Sequence, residues 1–233
     1  LEFTNTFHLM SSTFPGDVML TRGTALLLRL NMTGKMLVFP QETNTAHVRL
    51  TPSRQNLGAV TVCMRYFSDL TRPFTFFGLA TPSYNNDFHI FKMPARDEIN
   101  VDVRNIVLNF KGQDYQLNRW QSVCGTWDAA SGLVQLWVDG KPSSMKFSTE
   151  SNISGPMIIV LGQDQDSYGG SFDSGRSFVG MISDVHMWDY VLPPHHINNY
   201  RRKFTFPPGN VLNWNLIEFQ IVGKVLIQEE QHL

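Results

Sequence analysis

The feature of this sequence that most restricts its fold is a series of short runs in which apolar and polar residues alternate. Such runs occupy residues 60–67, 99–103, 106–110 and 133–138, and residues 36–39, 46–50 and 74–80 are similarly rich in strand-forming residues. A period of two places apolar side chains on one face of an extended strand and polar side chains on the other. The runs therefore predict half-buried antiparallel strands.

Turn signals separate these runs. Asp139-Gly140 supplies two residues that accept a left-handed backbone, which predicts a tight hairpin. Residues 82–87 (PSYNND) predict a surface loop. Pro193-Pro194 begins the one segment with helical spacing, which carries Ile197 and Tyr200. Many short strands with one short helix predict an all-β fold, a two-sheet antiparallel sandwich or jelly roll.

The length of 233 residues, without a Pro-, Gly- or Ser-rich linker, predicts one folded domain over residues 31–233. Residues 1–30 are expected to form an N-terminal extension, since their apolar run at 25–28 is too short to cross a bilayer and lacks the pattern of a signal peptide. With 19 Lys plus Arg against 20 Asp plus Glu, the charges nearly cancel. This balance argues against nucleic acid as the main partner, and no segment predicts membrane insertion.

The two cysteines, Cys63 and Cys124, both lie in apolar alternating runs. They are either two buried thiols of a cytosolic protein or one disulfide bond of a secreted protein. We favour the disulfide bond, since closing so long a loop stabilises a fold by about 4 kcal/mol. Two N-x-S/T sequences, at Asn31 and Asn152, are candidate N-glycosylation sites and fit a secreted, extracellular protein.

Residues 162–178 (GQDQDSYGGSFDSGRSF) gather acidic side chains in a glycine-rich turn between two apolar runs. In an extended segment Asp164 and Asp166 point to the same face, and Gly169-Gly170 allows a reversal that returns Asp173 toward them. Carboxylate, amide and backbone oxygens are the ligands that calcium prefers. The turn is therefore a calcium-binding loop or, alternatively, a solvated acidic turn of ordinary composition.

Four segments in one order carry a resemblance to a known family: residues 122–142 (SVCGTWDAASGLVQLWVDGKP), 158–180, 185–198 (VHMWDYVLPPHHIN) and 210–214 (NVLNW). They resemble the short members of the pentraxin family from about residue 36 to about residue 225. The family signature H-x-C-x-[ST]-W-x-[ST] is matched at Cys124, Thr126 and Trp127, whereas Ser122 and Ala129 depart from it.

The resemblance implies a concanavalin-like lectin jelly roll, a Cys63–Cys124 disulfide bond, and subunits arranged as a cyclic homo-oligomer, a pentamer or a smaller ring. It also implies calcium-dependent recognition of phosphocholine-like or carbohydrate ligands on microbes and damaged cells, and partners among complement proteins and phagocyte receptors. These functions involve binding and no catalysis.

Carried over position by position, the resemblance places calcium ligands at Asn85, Asn86, Asp164, Gln165 (through its carbonyl), Asp166 and Asp173. Arg176 stands where the family has a glutamine ligand to a second calcium ion. A guanidinium has no acceptor and repels a cation. Three carboxylates and one guanidinium balance one calcium ion better than two.

The resemblance also places Phe91 in the ligand pocket, where an aromatic face attracts a quaternary ammonium group. The acid that completes a phosphocholine pocket in the family is missing, since residues 104–110 read RNIVLNF.

Two other functions stay open at this point. A calcium-independent structural or adhesion domain would have the same fold. A jelly-roll glycosidase would use paired acids such as Asp164 and Asp166, although Tyr168 stands where a third acid is usual.

Overall fold

The computed structural model describes residues 27–230, and the extension predicted at 1–30 lies mostly outside that range. The described residues contain these strands: β1 Leu27–Leu30, β2 Lys35–Phe39, β3 His47–Leu50, β4 Asn56–Leu57, β5 Ala59–Phe67, β6 Phe74–Thr81, β7 Tyr84–Lys92, β8 Ile99–Val103, β9 Ile106–Phe110, β10 Gln121–Asp128, β11 Leu133–Val138, β12 Lys141–Pro142, β13 Lys146–Phe147, β14 Ile153–Ser154, β15 Ile158–Leu161, β16 Gly180–Trp188, β17 Ile217–Val222 and β18 Leu226–Glu229. The helix α1 spans Pro194–Arg201, and two 3-10 turns span Ser174–Arg176 and Trp214–Leu216.

Two large antiparallel sheets form the domain. The first, here called the loop-side sheet, has the strand order β1-β17-β3-β15-β6-β7-β8-β9. The second, the helix-side sheet, has the order β12-β11-β10-β5-β16-β2-β18, with β13 also paired to β11. Strands β4 and β14 form a small separate pair. The prediction of an all-β, two-sheet antiparallel jelly roll with one short helix is confirmed.

The apolar faces of both sheets meet in one core. Val60, Val62 and Met64 contribute alternate positions of β5, and Phe88 and Ile90 contribute alternate positions of β7; all five are fully buried. The alternation that predicted strands therefore also selects the core residues.

The outer face of the helix-side sheet carries a second, smaller apolar cluster. Cys63 on β5 lies directly opposite Cys124 on β10, and the two form a disulfide bond. The bond packs against Trp188, Ile197 and Tyr200, so that α1 lies over this face of the sheet. The disulfide bond joins two neighbouring strands beneath the helix.

Strand β7 begins at Tyr84, so the surface loop predicted over residues 82–87 is shorter than expected. A tight turn pairs Tyr84 with Thr81 on β6, and the asparagine-rich segment continues as a strand. Strand β1 pairs with β17, which brings residues 27–30 into the folded domain. Among the described residues, no helix has the length and apolar character needed to cross a membrane.

Candidate calcium-binding site

The loop at residues 162–178 lies on the outer face of the loop-side sheet and is fastened there by two buried glutamines. The Gln163 side chain donates hydrogen bonds to the carbonyls of Thr43 and Ala46, at 2.7 and 2.9 Å. The Gln165 side chain donates to the Gly78 carbonyl at 3.0 Å and accepts from the Gly169 amide at 3.1 Å. These bonds hold the backbone on both sides of Asp164.

The second half of the loop is held by Arg72, whose guanidinium donates to the carbonyls of Gly175 and Ser177 at 3.3 and 2.6 Å. Asp173 precedes the 3-10 turn, and its carboxylate accepts from the Gly175 amide at 3.0 Å. The side chain of Arg176, at the end of this turn, is thereby directed back toward the first half of the loop.

The three carboxylates of the loop converge on the guanidinium of Arg176. Its nitrogens lie 2.9 Å from Asp164, 3.4 Å from Asp166 and 3.8 Å from Asp173. The hydrogen bond to Asp164 raises the pKa of Arg176 further above its usual value. Burial and the charge of Asp164 raise the pKa of Asp166, although Arg176 partly offsets them. The loop thus gathers three acids around one internal cation.

Asp164 also touches a buried polar network that lies beneath the loop. The ring of His89 contacts Asp102 through Nδ1 at 3.0 Å, and its Nε2 lies 3.1 Å from the Thr75 hydroxyl and 3.4 Å from Asp164 Oδ1. Burial lowers the pKa of His89, but the hydrogen bond to Asp102 and the charge of Asp164 outweigh it, so the pKa is raised overall.

Two carboxylate oxygens of this network, Oδ1 of Asp102 and Oδ1 of Asp164, are buried and accept no hydrogen bond from any described residue. Oδ1 of Asp164 has only the ring nitrogen of His89 at 3.4 Å, while Oδ2 accepts a hydrogen bond from Arg176. A buried carboxylate oxygen without a donor costs free energy unless a cation or water satisfies it. Asp164 is therefore the best-placed residue of the loop to bind a cation.

The two asparagines predicted as ligands follow Tyr84, the first residue of β7. Asn86 is bound to the hairpin between β8 and β9, because Asn105 Oδ1 accepts a hydrogen bond from its backbone amide at 2.9 Å. Oδ1 of Asn86 has no hydrogen-bond partner among the described residues. Both asparagines lie in an irregular part of β7, since the pairing with β6 shifts register between Tyr84 and Phe88. No hydrogen bond joins either asparagine to Asp164.

Asp87, in the same irregular part of β7, is fully buried. Its Oδ2 accepts from the Thr81 hydroxyl at 2.6 Å, and its Oδ1 has no partner among the described residues. Burial raises the pKa of this carboxyl above its ordinary value, although the hydrogen bond from Thr81 opposes the shift. Asp87 is held by its own strand turn and lies apart from the Arg176 cluster.

Phe91, predicted for the ligand pocket, lies half-buried on the same outer face of β7. Its ring centre is 5.4 Å from that of His89. The candidate glycosylation sites Asn31 and Asn152 are both exposed. Oδ1 of Asn31 accepts from the Thr33 amide of its own sequon at 2.9 Å.

The network of Thr75, His89 and Asp102 was not predicted from the sequence. The only sequence signal for this network is that its polar residues alternate with core residues on three neighbouring strands, and that pattern predicts an exposed polar face. That face is buried here because the loop covers it, with Asp102 only 6% and His89 only 3% exposed.

Comparisons with known proteins decide the family. The Pentaxin family model matches residues 35–229. The serum amyloid P-component of Mus musculus is 38% identical over 196 residues, which cover 83% of this chain and 86% of the relative. The C-reactive protein of Sus scrofa is 36% identical over 203 residues, which cover 86% of this chain and 89% of the relative. This chain belongs to the pentraxin family.

The resemblance seen in the sequence is thus confirmed. The structure of a native heptameric SAP-like pentraxin from Limulus polyphemus superposes on this pentraxin with a TM-score of 0.77. That likeness covers 86% of this chain and 97% of the Limulus chain at 23% identity, and it supports the fold.

The family implies calcium, and part of the donor chemistry of the loop fits this ion. The loop offers oxygen donors, and the unpartnered Oδ1 of Asp164 is an oxygen that a cation would satisfy. Within residues 27–230, however, no three His, Cys, Asp or Glu side chains are arranged as a metal site. The guanidinium of Arg176 occupies the point where the three loop acids converge, so an ion held by all three would require this side chain to move.

Proposed function

We propose that this pentraxin is a secreted pattern-recognition protein of innate immunity that binds its ligands through one calcium ion per subunit. The ion would be held by the carboxylates of Asp164, Asp166 and Asp173 and by the Gln165 carbonyl. Asn85 and Asn86 would complete the set. When bound, it would supply a positive centre for phosphate or hydroxyl oxygens of a ligand.

The observation that carries this proposal is the unpartnered, buried Oδ1 of Asp164 in a loop whose backbone is already fastened to the sheet. A loop fixed in this way loses little conformational freedom when a cation binds. Arg176 balances part of the acidic charge of the loop, which favours a single divalent ion over two.

The ligand class follows from the neighbourhood of the loop. Phe91 presents a half-buried aromatic side chain on the face that the loop covers, and such a ring attracts a quaternary ammonium group. Phosphocholine-like and carbohydrate ligands therefore remain the preferred candidates. Complement and phagocyte receptors are proposed as partners from the family alone.

Binding without catalysis fits the buried network. Thr75, His89 and Asp102 have the order of a hydroxyl, an imidazole and a carboxylate, yet Thr75 is 0% exposed and cannot meet a substrate. Asp164 and Asp166, the paired acids of the glycosidase alternative, are both engaged by Arg176. These contacts favour a structural role, without catalysis, for the network and for the acids of the loop.

Secretion is supported by the Cys63–Cys124 disulfide bond and by two exposed sequons. We also propose a cyclic homo-oligomer, because several weak sites on one face of a ring bind a surface far more tightly than one site. The sequence favours a pentamer or a smaller ring, and the heptameric Limulus structure shows that a protein of this fold also closes larger rings.

Binding to surfaces coated with phosphocholine, phosphoethanolamine or a sugar polymer tests the proposal. We expect saturable binding to at least one surface that is lost with a chelator and in an Asp164→Asn variant. An Asp69→Asn variant, which changes an exposed acid outside residues 162–178, should bind normally. Equal binding with and without calcium would support the calcium-independent alternative, which the internal cation Arg176 favours.

A further inference from the structure

A groove of about 400 Å³ lies on the outer face of the helix-side sheet, on the other side of the core from the calcium loop. Arg65, Arg119, Arg201 and Arg202 line it, together with Trp120. Arg65 is placed on this face by the alternation of β5, since it lies two positions after Cys63. The groove therefore gathers arginines from three separated parts of the chain.

The charge of the groove is largely uncompensated. Arg119, Arg201 and Arg202 form no salt bridge with any residue between 27 and 230. Arg65 has only a distant partner, Asp184, at 4.0 Å. Like-charged side chains brought together in this way repel each other, which an anion would relieve.

The one carboxylate that lines the groove is already engaged. Oδ1 of Asp139 accepts from the Ser122 amide at 2.9 Å, and Oδ2 accepts from the Gln121 side chain at 3.0 Å. Both carboxylate oxygens of Asp139 thus accept hydrogen bonds from the start of β10. The guanidiniums of the groove remain free to bind a ligand.

Aromatic side chains flank the arginines. Phe204 is 60% exposed, and the guanidinium of Arg65 lies 5.7 Å from the centre of the Trp120 ring. A volume of this size lies in the range of small-molecule sites, about 300–1,000 Å³, and exceeds what a single inorganic anion needs. The groove therefore has room for a charged group and for the small organic part that carries it.

We propose that this groove binds a phosphate or sulfate monoester of a small sugar, independently of calcium. A tetrahedral ester group has three terminal oxygens, which can accept hydrogen bonds from several guanidiniums at once, whereas a carboxylate has only two oxygens. The exposed face of Phe204 and the ring of Trp120 would lie beside the sugar.

Isothermal titration calorimetry in the presence of a chelator tests this inference with glucose 6-phosphate, glucose 6-sulfate and glucuronate as probes. We expect saturable binding of at least one of the two esters, and their relative affinities identify whether phosphate or sulfate is preferred. Affinity for that ester should fall about tenfold in Arg119→Gln and in Arg201→Gln, since each charged hydrogen bond contributes roughly that factor.

Two variants separate this groove from the calcium site. Arg49→Gln changes an exposed arginine on β3 and should leave ester binding unchanged. Asp164→Asn should also leave it unchanged, so that failure of the calcium proposal and failure of this one are distinguishable. The inference is overturned if neither ester binds at millimolar concentration, if glucuronate binds as tightly as the esters, or if the double variant Arg201→Gln/Arg202→Gln binds like the wild type.

Discussion

Replacing Arg176 by glutamine removes the internal cation of the calcium loop, and its effect on calcium affinity follows from the geometry. The guanidinium lies 2.9 Å from Oδ2 of Asp164. With calcium–oxygen distances of about 2.3–2.6 Å, an ion on this carboxylate would lie within roughly 7 Å of the positive charge.

The repulsion between this charge and a divalent ion at that distance is about 1.2 kcal/mol in a water-like dielectric, and larger in a less polar one. Its removal should therefore tighten calcium binding by at least roughly eightfold. Glutamine also supplies an amide oxygen that calcium can bind, so a second bound ion is the other expected result. The separation is shorter than the screening length of about 10 Å at 0.1 M salt, so the effect should persist at moderate ionic strength.

Calcium titration by calorimetry measures this change. Arg176→Lys is the matched control, because it keeps the charge while losing the forked hydrogen bonds, and its affinity should stay close to that of the wild type. If Arg176→Gln binds calcium with unchanged affinity and unchanged stoichiometry, the guanidinium does not compete with the ion and the argument for a single calcium is wrong.

Three further predictions concern stability. Burial raises the pKa of Asp184 to about 6, so ionisation of this carboxyl costs stability that grows as the pH rises from about 4 to about 6. Burial lowers the pKa of His186 to about 4, which acts in the opposite direction over the same range, so the test is the difference between Asp184→Asn and the wild type. In urea titrations this difference should grow from about pH 4 to pH 7 and reach up to about 3 kcal/mol in favour of the variant; a difference that does not change with pH would refute the reasoning. Replacing both Cys63 and Cys124 by alanine should lower the free energy of unfolding by about 4 kcal/mol, and an unchanged denaturation midpoint would contradict it. Gly162 has a φ of +90°, and an added Cβ would lie 2.3 Å from the ring of Phe39. Gly162→Ala should therefore lower the free energy of unfolding by roughly 1–3 kcal/mol and lower the melting temperature. An unchanged melting temperature would contradict this.

The strands and the core could be predicted from the sequence, because the two-residue period acts locally along each strand. Val60, Val62 and Met64 alternate in the sequence and are buried together in the structure. The start of β7 could not be predicted in this way. Its first residues belong to the segment YNND, in which Asn and Asp are types common in turns, and their pairing depends on the backbone of β6.

The acids of the candidate site were also visible in the sequence, since Asp164, Asp166 and Asp173 lie in one short loop. The role of Arg176 at their centre depends on the 3-10 turn that directs its side chain. The burial of His89 beneath the loop depends on segments far apart in sequence. The arginine groove was even less predictable from the sequence, because its arginines come from β5, from the segment before β10 and from the end of α1.

The most direct test of the central claim is the number of calcium ions bound per subunit, counted by calorimetry on the wild-type protein. We expect one ion per subunit, lost in Asp164→Asn and retained in Asp69→Asn. Two ions per subunit, or no saturable binding at millimolar calcium, would contradict it.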